Sequence, residues 1–251
     1  MRVKICGITN LEDAMDAINA GADALGFVFF KNSPRYVDPK KAREIVEKLP
    51  PFVQTVGLFV NENENFINEI CKDSKMQLAQ IIDDHDLIDF NLLSTKYIKV
   101  IRVKEKKDLT NLNKDYYLVD AFVDGFGGEG KRIALEWFEN FDCSKIIIAG
   151  GLTSNNLKEL NGFGFYGVDV SSGVESPILS SDFTTSTTSI RLSRIKSSIS
   201  DFFTCSLGFL LSKKSFSPVN VISSPFPNLS SHLVALRLVA FSSDSFFSIG
   251  L

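Results

Sequence analysis

The sequence predicts an α/β protein, a (β/α)8 TIM barrel, and three observations carry that reading. Short β-branched runs alternate with segments of helical spacing from residue 1 to about 176. The runs are apolar at consecutive positions, as strands covered on both faces must be. There are eight of them, the number that closes a parallel barrel wrapped by helices. An open doubly wound sheet is the rival architecture for the same alternation.

In order, the strands are expected at VKIC (3–6), ALGFVF (24–29), VQTVGLFV (53–60), MQLAQII (76–82), YIKVIRV (97–103), YYLVD (116–120), KIIIAG (145–150) and YGVDV (166–170). Leu11, Ala14, Met15 and Ile18 are spaced for a first helix, capped by Thr9 or Asn10. Ala42, Ile45, Val46 and Leu49 mark a second, with Asp38 as cap and Pro39 in its first turn. A third is expected to start from Asn61, and a later one near Ser154 or Asn155, after the glycines of AGG (149–151).

Past Glu175 the composition changes. The remainder is rich in serine and phenylalanine, contains no glutamate and shows no sustained strand–helix alternation. Within it, SIRLSRIKSSISDFF (189–203) places Ile195, Ile199 and Phe202 at helical spacing, although its serines and β-branched residues make a weak helix. The expected division is therefore a barrel over 1–176 through strand eight, a substitute eighth helix within 177–204, and an irregular, poorly ordered tail over 205–251. Phenylalanine clusters such as DFF (201–203) and SFFSIGL (245–251) are expected to make that tail prone to aggregation. A shifted reading frame or a genuine extension would each produce such a boundary.

The balance of charge narrows the partners. With 251 residues and a formal net charge of -3, the chain lacks the basic excess that nucleic acid or an anionic membrane surface requires, so a small-molecule partner is expected. The start has no secretory h-region, and no run of about 18 uncharged apolar residues follows, so a cytoplasmic location is expected. Cys6, Cys71, Cys143 and Cys205 are scattered without ligand spacing, and His85 and His232 are the only histidines. Free thiols and no metal are expected.

In a barrel of this kind the reactive groups come from the C-terminal ends of the strands and the loops after them. Those ends hold Cys6, the SPR of 33–35, Asp120, Gly150 and Gly151, and DVSSG (169–173). Cys6 ends the first strand and Asp120 the sixth, so a thiol and a carboxyl can act from opposite sides of one small substrate. A thiol whose ordinary pKa is about 8.5 serves as a base when positive charge lowers it. Backbone N–H groups around Gly150, Gly151, Ser171, Ser172 and Gly173 can cradle a phosphate, since the loops after strands seven and eight are where αβ barrels place one. Arg35 offers a guanidinium fork to an anionic group. The glycine-rich DGFGGEGK (124–131) lacks the Lys-Ser/Thr ending of a Walker loop and reads as a mobile loop over the mouth.

With those residues assembled, the sequence resembles the phosphoribosylanthranilate isomerases of tryptophan biosynthesis. The matching pieces are KICGIT (4–9), GADALGFVFFKNSPRYV (21–37), VGLFVN (56–61), YLVDAFVDGFGGEGK (117–131), IIIAGGLTSNN (146–156) and VDVSSGVES (168–176). The resemblance implies a cofactor-free Amadori rearrangement of N-(5'-phosphoribosyl)anthranilate to 1-(2-carboxyphenylamino)-1-deoxyribulose 5-phosphate. It implies Cys6 as general base, Asp120 as general acid, Arg35 on the anthranilate carboxylate and Asp169 on its amine. It also implies phosphate bound at Gly150, Gly151, Ser171, Ser172 and Gly173.

The chain departs from the family twice. A Gln-Leu-His-Gly motif is usual at the end of strand four, whereas here Gln80 is followed by Ile81, Ile82 and Asp83, which removes a histidine from the mouth. The serine-rich tail replaces the family's usual ending. Two other readings stay open: another phosphate-binding barrel enzyme acting on a sugar phosphate, and an inactive barrel with a frame-shifted C-terminus. An epimerase would want metal ligands, and a Schiff-base lyase a lysine ending a strand; Lys99 and Lys104 fall along or past strand five. Oligomeric state is not legible.

Overall fold

A computed structural model describes residues 1–110, 112, 115–123 and 131–175. The expected substitute helix and the tail lie outside the described residues, as does most of the loop at 124–131.

Eight parallel strands close on themselves: β1 Arg2–Cys6, β2 Ala24–Val28, β3 Gln54–Val60, β4 Leu78–Ile82, β5 Tyr97–Val103, β6 Tyr117–Ala121, β7 Ile146–Ile148 and β8 Gly167–Val170. Each pairs with the next, and β8 pairs with β1 through Arg2↔Gly167, Lys4↔Asp169 and Ile5↔Val170. Closure rules out the open sheet. All eight expected strands are present, with ends shifted by a residue or two.

Consecutive apolar residues are explained by two cores rather than one. Side chains alternate between strand faces, so Ile5, Leu25, Phe27, Phe59 and Ile81 pack outward against helices and loops. Val60, Ile82, Ile98, Val100, Leu118 and Ala149 fill the barrel interior. A residue that shares this inward face but is polar or charged is conspicuous, and β1 carries two, Lys4 and Cys6.

The helical layer is uneven. α1 spans Leu11–Asn19, and of the two candidate caps it is Asn10 whose side chain accepts from the Asp13 N–H at 2.8 Å. α2 spans Pro39–Val46 with Asp38 accepting from Lys40 N. α3 spans Glu64–Ser74, and its cap is Asn63 rather than the expected Asn61. Asn61 instead takes a left-handed φ of 52° and accepts from Asp84 N, which ties the β3 end to the β4 end. Beyond β4 the described connections contain only 3-10 turns, at Phe90–Leu92, Lys106–Leu109, Leu135–Phe138, Leu157–Leu160 and Ser172–Val174. The helix expected near Ser154 or Asn155 is one of these, starting at Leu157. Its Leu157 and Leu160 are buried and eclipse at the i, i+3 spacing of a 3-10 turn, in the same core cluster as Ile146, Ile148 and Val168.

Candidate active site

All nine residues expected at the site line one cavity of about 130 Å³ at the C-terminal ends of the strands: Cys6, Arg35, Asp120, Gly150, Gly151, Asp169, Ser171, Ser172 and Gly173. No other described cavity holds them. The fold brings them together because each lies at the C-terminal end of its strand or in the loop that follows it, Arg35 reaching in from the longer loop after β2.

The thiol of Cys6 is buried. Burial pushes it up, the Lys4 ammonium pulls it down and the Asp169 carboxylate pushes it up again, and the net direction is upward. Asp120 is pushed up to about 6, first by burial and then by the Asp169 charge, against the Ala121 N–H, Arg102 and Lys4, which favour its carboxylate. The Ala121 N–H reaches Asp120 Oδ1 at 2.8 Å. A carboxyl with this value keeps a minor protonated fraction near neutrality, the form able to donate a proton.

Arg35 is held in a fork. Its Nε donates to Glu175 Oε1 and its Nη2 to Oε2 at 2.9 Å, while Nη1 makes no hydrogen bond among the described residues. Burial works against this guanidinium, but Glu175 outweighs it and keeps the charge fixed. The chain can cross here only because residue 7 is glycine. A Cβ on Gly7 would lie 2.4 Å from Arg35 Cδ, at a φ of 98° that side-chain-bearing residues rarely adopt.

The loops after β7 and β8 meet each other directly. A Cβ at Gly173 would stand 1.8 Å from the Leu152 carbonyl oxygen, so only glycine lets the two backbones approach. Asn156 braces the first loop, accepting from Thr153 N and donating to Gly151 O at 2.8 Å. The result is a backbone-lined pocket wall in which Gly150 and Gly151 both have positive φ.

Three charged residues at or just behind the mouth escaped the reading of strand ends. Lys4 lies two positions before Cys6, on the same inward face, and its Nζ donates to Asp169 Oδ1 at 2.7 Å with both side chains buried. Arg102 is the register partner of Asp120 across β5 and β6. It donates to Asp84 Oδ2 at 2.7 Å and to the Val123 carbonyl, and stacks over Phe122. Glu175 is the third. The signal available for Lys4 and Arg102 was a charged residue at an inward position of an otherwise apolar strand. For Glu175 there was none, because it is paired only in three dimensions. Where the histidine of strand four is lost, Ile82 lines the mouth, and His85 is exposed on the following loop. Gln80 survives, buried, with its Oε1 unpartnered among the described residues.

Fold and mouth together place this chain among the (β/α)8-barrel enzymes, with a buried thiol, a raised carboxyl and two glycine-containing loops on one mouth. The family described as N-(5'phosphoribosyl)anthranilate (PRA) isomerase matches residues 3–177, and the chain belongs to it. The N-(5'-phosphoribosyl)anthranilate isomerase of a Nitratiruptor species is 59% identical over 175 residues, which cover 70% of this chain and 89% of that one. The crystal structure of phosphoribosyl anthranilate isomerase from Thermotoga maritima superposes with a TM-score of 0.68 at 32% identity, covering 83% of this chain and 99% of that one. A phosphoribosyl anthranilate isomerase in complex with reduced 1-(o-carboxyphenylamino)-1-deoxyribulose 5-phosphate gives 0.62 at 32% identity, over 80% and 97%. The serine-rich tail begins where the family match ends.

Proposed function

We infer that this chain catalyses the Amadori rearrangement of N-(5'-phosphoribosyl)anthranilate to 1-(2-carboxyphenylamino)-1-deoxyribulose 5-phosphate, a step of tryptophan biosynthesis, without a cofactor. The observation that carries the reading is the convergence of a buried thiol, a carboxyl with a pKa of about 6 and two abutting glycine loops on one small mouth.

In this reading the phosphate rests on the backbone of Gly150, Gly151, Ser171, Ser172 and Gly173, and Arg35 takes the anthranilate carboxylate. Glu175 already shows the pairing that the Arg35 fork favours, and Nη1 is the edge left for a ligand. Protonated Asp120 gives its proton to the furanose ring oxygen. The C1'–O4' bond breaks, and the anthranilate nitrogen lone pair forms the C1'=N bond of a protonated Schiff base. Cys6 as thiolate then removes the C2' proton. The electrons of that C–H bond form C1'=C2', and those of C=N return to nitrogen, giving an enolamine. Loss of the C2' hydroxyl proton and protonation at C1' yield the ketone, so protons and electrons balance with no external redox partner. Asp169 orients the anthranilate amine.

The test is complementation: the gene should restore growth without tryptophan to a strain lacking this isomerase, and Cys6→Ala should not. Failure of the parent gene to do so, with soluble folded protein present, would remove the reading and leave the inactive-barrel alternative.

A further inference from the structure

The mechanism above asks a buried thiol to ionise, and burial opposes that. The structure offers one compensating group. Lys4 Nζ and Cys6 Sγ project into the same space above Gly26, where an added Cβ would stand 3.0 Å from the one and 2.8 Å from the other. Lys4 does not line the mouth. It lines the cavity on the other side of the barrel interior, beneath Cys6 and Asp169. A substrate in the mouth therefore meets Cys6 and Asp169, and Lys4 acts from behind them.

We propose that Lys4 is the positioning residue of the base: its buried ammonium, anchored by Asp169, holds the charge that allows Cys6 to exist as a thiolate in a site that otherwise excludes it. The proposal rests on Cys6 being the base. The groups facing Cys6 are Lys4 from its own strand, Asp169 from β8, Asp120 from β6 and Arg35 from the loop after β2, the last already paired with Glu175. Lys4 is the cation among them that is not committed to the mouth's surface. Burial works against its charge, but Asp169 and then Cys6 outweigh that, and the net direction keeps the ammonium protonated. The arrangement also links base and acid. The carboxylate that anchors Lys4 is the one that pushes Asp120 up, so a single buried charge serves both proton transfers.

The experiment reads the thiolate directly, without turnover. The full chain, Lys4→Met, Lys4→Gln, Lys4→Arg and Asp169→Asn are alkylated with iodoacetamide from about pH 6 to about pH 10, and Cys6 modification is followed by peptide mass spectrometry. Cys71 and Cys143, both pushed up to about 11 chiefly by burial, react separately and report the fold. Removing an opposite charge at this range should slow Cys6 alkylation near neutrality by about tenfold or more in Lys4→Met and Lys4→Gln and move its rise to higher pH. Lys4→Arg should retain most of the parent rate. Asp169→Asn, whose amide oxygen can still accept from Lys4 Nζ while the opposing negative charge is gone, should speed the reaction, and it serves as the test if the neutral Lys4 variants do not fold. In the folded Lys4 variants kcat should fall with KM held within about twofold. A Lys4→Gln or Lys4→Met profile that overlies the parent's, or a slower or unchanged Asp169→Asn, would overturn the proposal. Neither result bears on whether Cys6→Ala is inactive, which tests the base itself.

Discussion

The two ends of this barrel hold cavities of opposite character. The one at the N-terminal ends of the strands is the larger, about 480 Å³ against about 130 Å³. Its ionic pair, Arg2 with Asp23 at 2.6 Å, is half in water, the arginine side chain being 67% exposed. Arg35 with Glu175 at the mouth, and Lys4 with Asp169, a pair that runs from the barrel interior up to the mouth, are largely withdrawn from solvent. Room alone does not mark a site. A buried charge is costly unless it is paired, so the buried pairs that reach the Cys6 and Asp120 end mark it as the candidate site better than volume does.

The largest effect expected from breaking this contrast is at the two groups proposed to transfer protons. Cys6→Ala and Asp120→Asn should each lower kcat by ~10²- to 10⁴-fold with the fold intact by circular dichroism, the loss usual for a positioned acid or base. Near-parental turnover in either purified variant would remove that residue from its role.

Next comes the wall of the mouth. Gly173→Ala places a Cβ where the Leu152 carbonyl now lies, so the two loops must separate. A shift of about 1 Å can cost roughly 10²-fold, and it should appear mainly as a raised KM for the phosphorylated substrate. Unchanged KM would place the phosphate elsewhere.

The pH dependence sharpens the comparison further. Asp120 at about 6 lies below Cys6, which is pushed above its ordinary value. The active form, protonated Asp120 with Cys6 thiolate, carries as many protons as the more abundant carboxylate–thiol form. The profile of kcat/KM should therefore rise with pH to about 6, stay level, and fall only as Cys6 itself deprotonates. The limb near 6 should vanish in the residual activity of Asp120→Asn. Stability follows the same group. Because the folded-state value is raised above 3.8, its contribution is complete below about 4 and is lost as pH rises through about 6. Asp120→Asn should thus be more stable than the parent near neutrality by about 1–2 kcal/mol, after allowance for partial exposure, with the gain fading in acid. A thermal-melt series across pH reads this directly.

The smallest effects belong to the other end and the tail. Arg2→Ala should cost only about 0.2–1 kcal/mol by denaturant titration, the worth of an exposed pair, and leave kcat/KM unchanged. Truncation after residue 205 should also leave specific activity unchanged, since every residue assigned to the mouth precedes it. A large loss from either would mean that the quiet end, or the tail, takes part in the site.

The sequence by itself determined the eight strands, their burial on both faces and nine residues that line the mouth, while closure against an open sheet waited for the β8–β1 pairing. The first two follow from periodicity, which is local: a strand buried on both faces must be apolar at consecutive positions, and alternate side chains must point inward. The assignment of roles to Cys6, Asp120, Arg35 and Asp169 came from resemblance, because a strand-ending cysteine has no local mark of reactivity. What the sequence misjudged was the helical layer after β4, where the connections settle into 3-10 turns, and the cap of α3, where Asn61 was drawn away to hold the β4 end. Only the tertiary structure decided the electrostatics. Lys4 and Asp169 are separated by most of the barrel in sequence and meet because closure pairs β1 with β8. Arg35 finds Glu175 where the loops after β2 and β8 meet, and Arg102 stands beside Asp120 through the β5–β6 register. A charge's behaviour depends on burial and on partners within a few ångströms, and neither exists until the chain has folded.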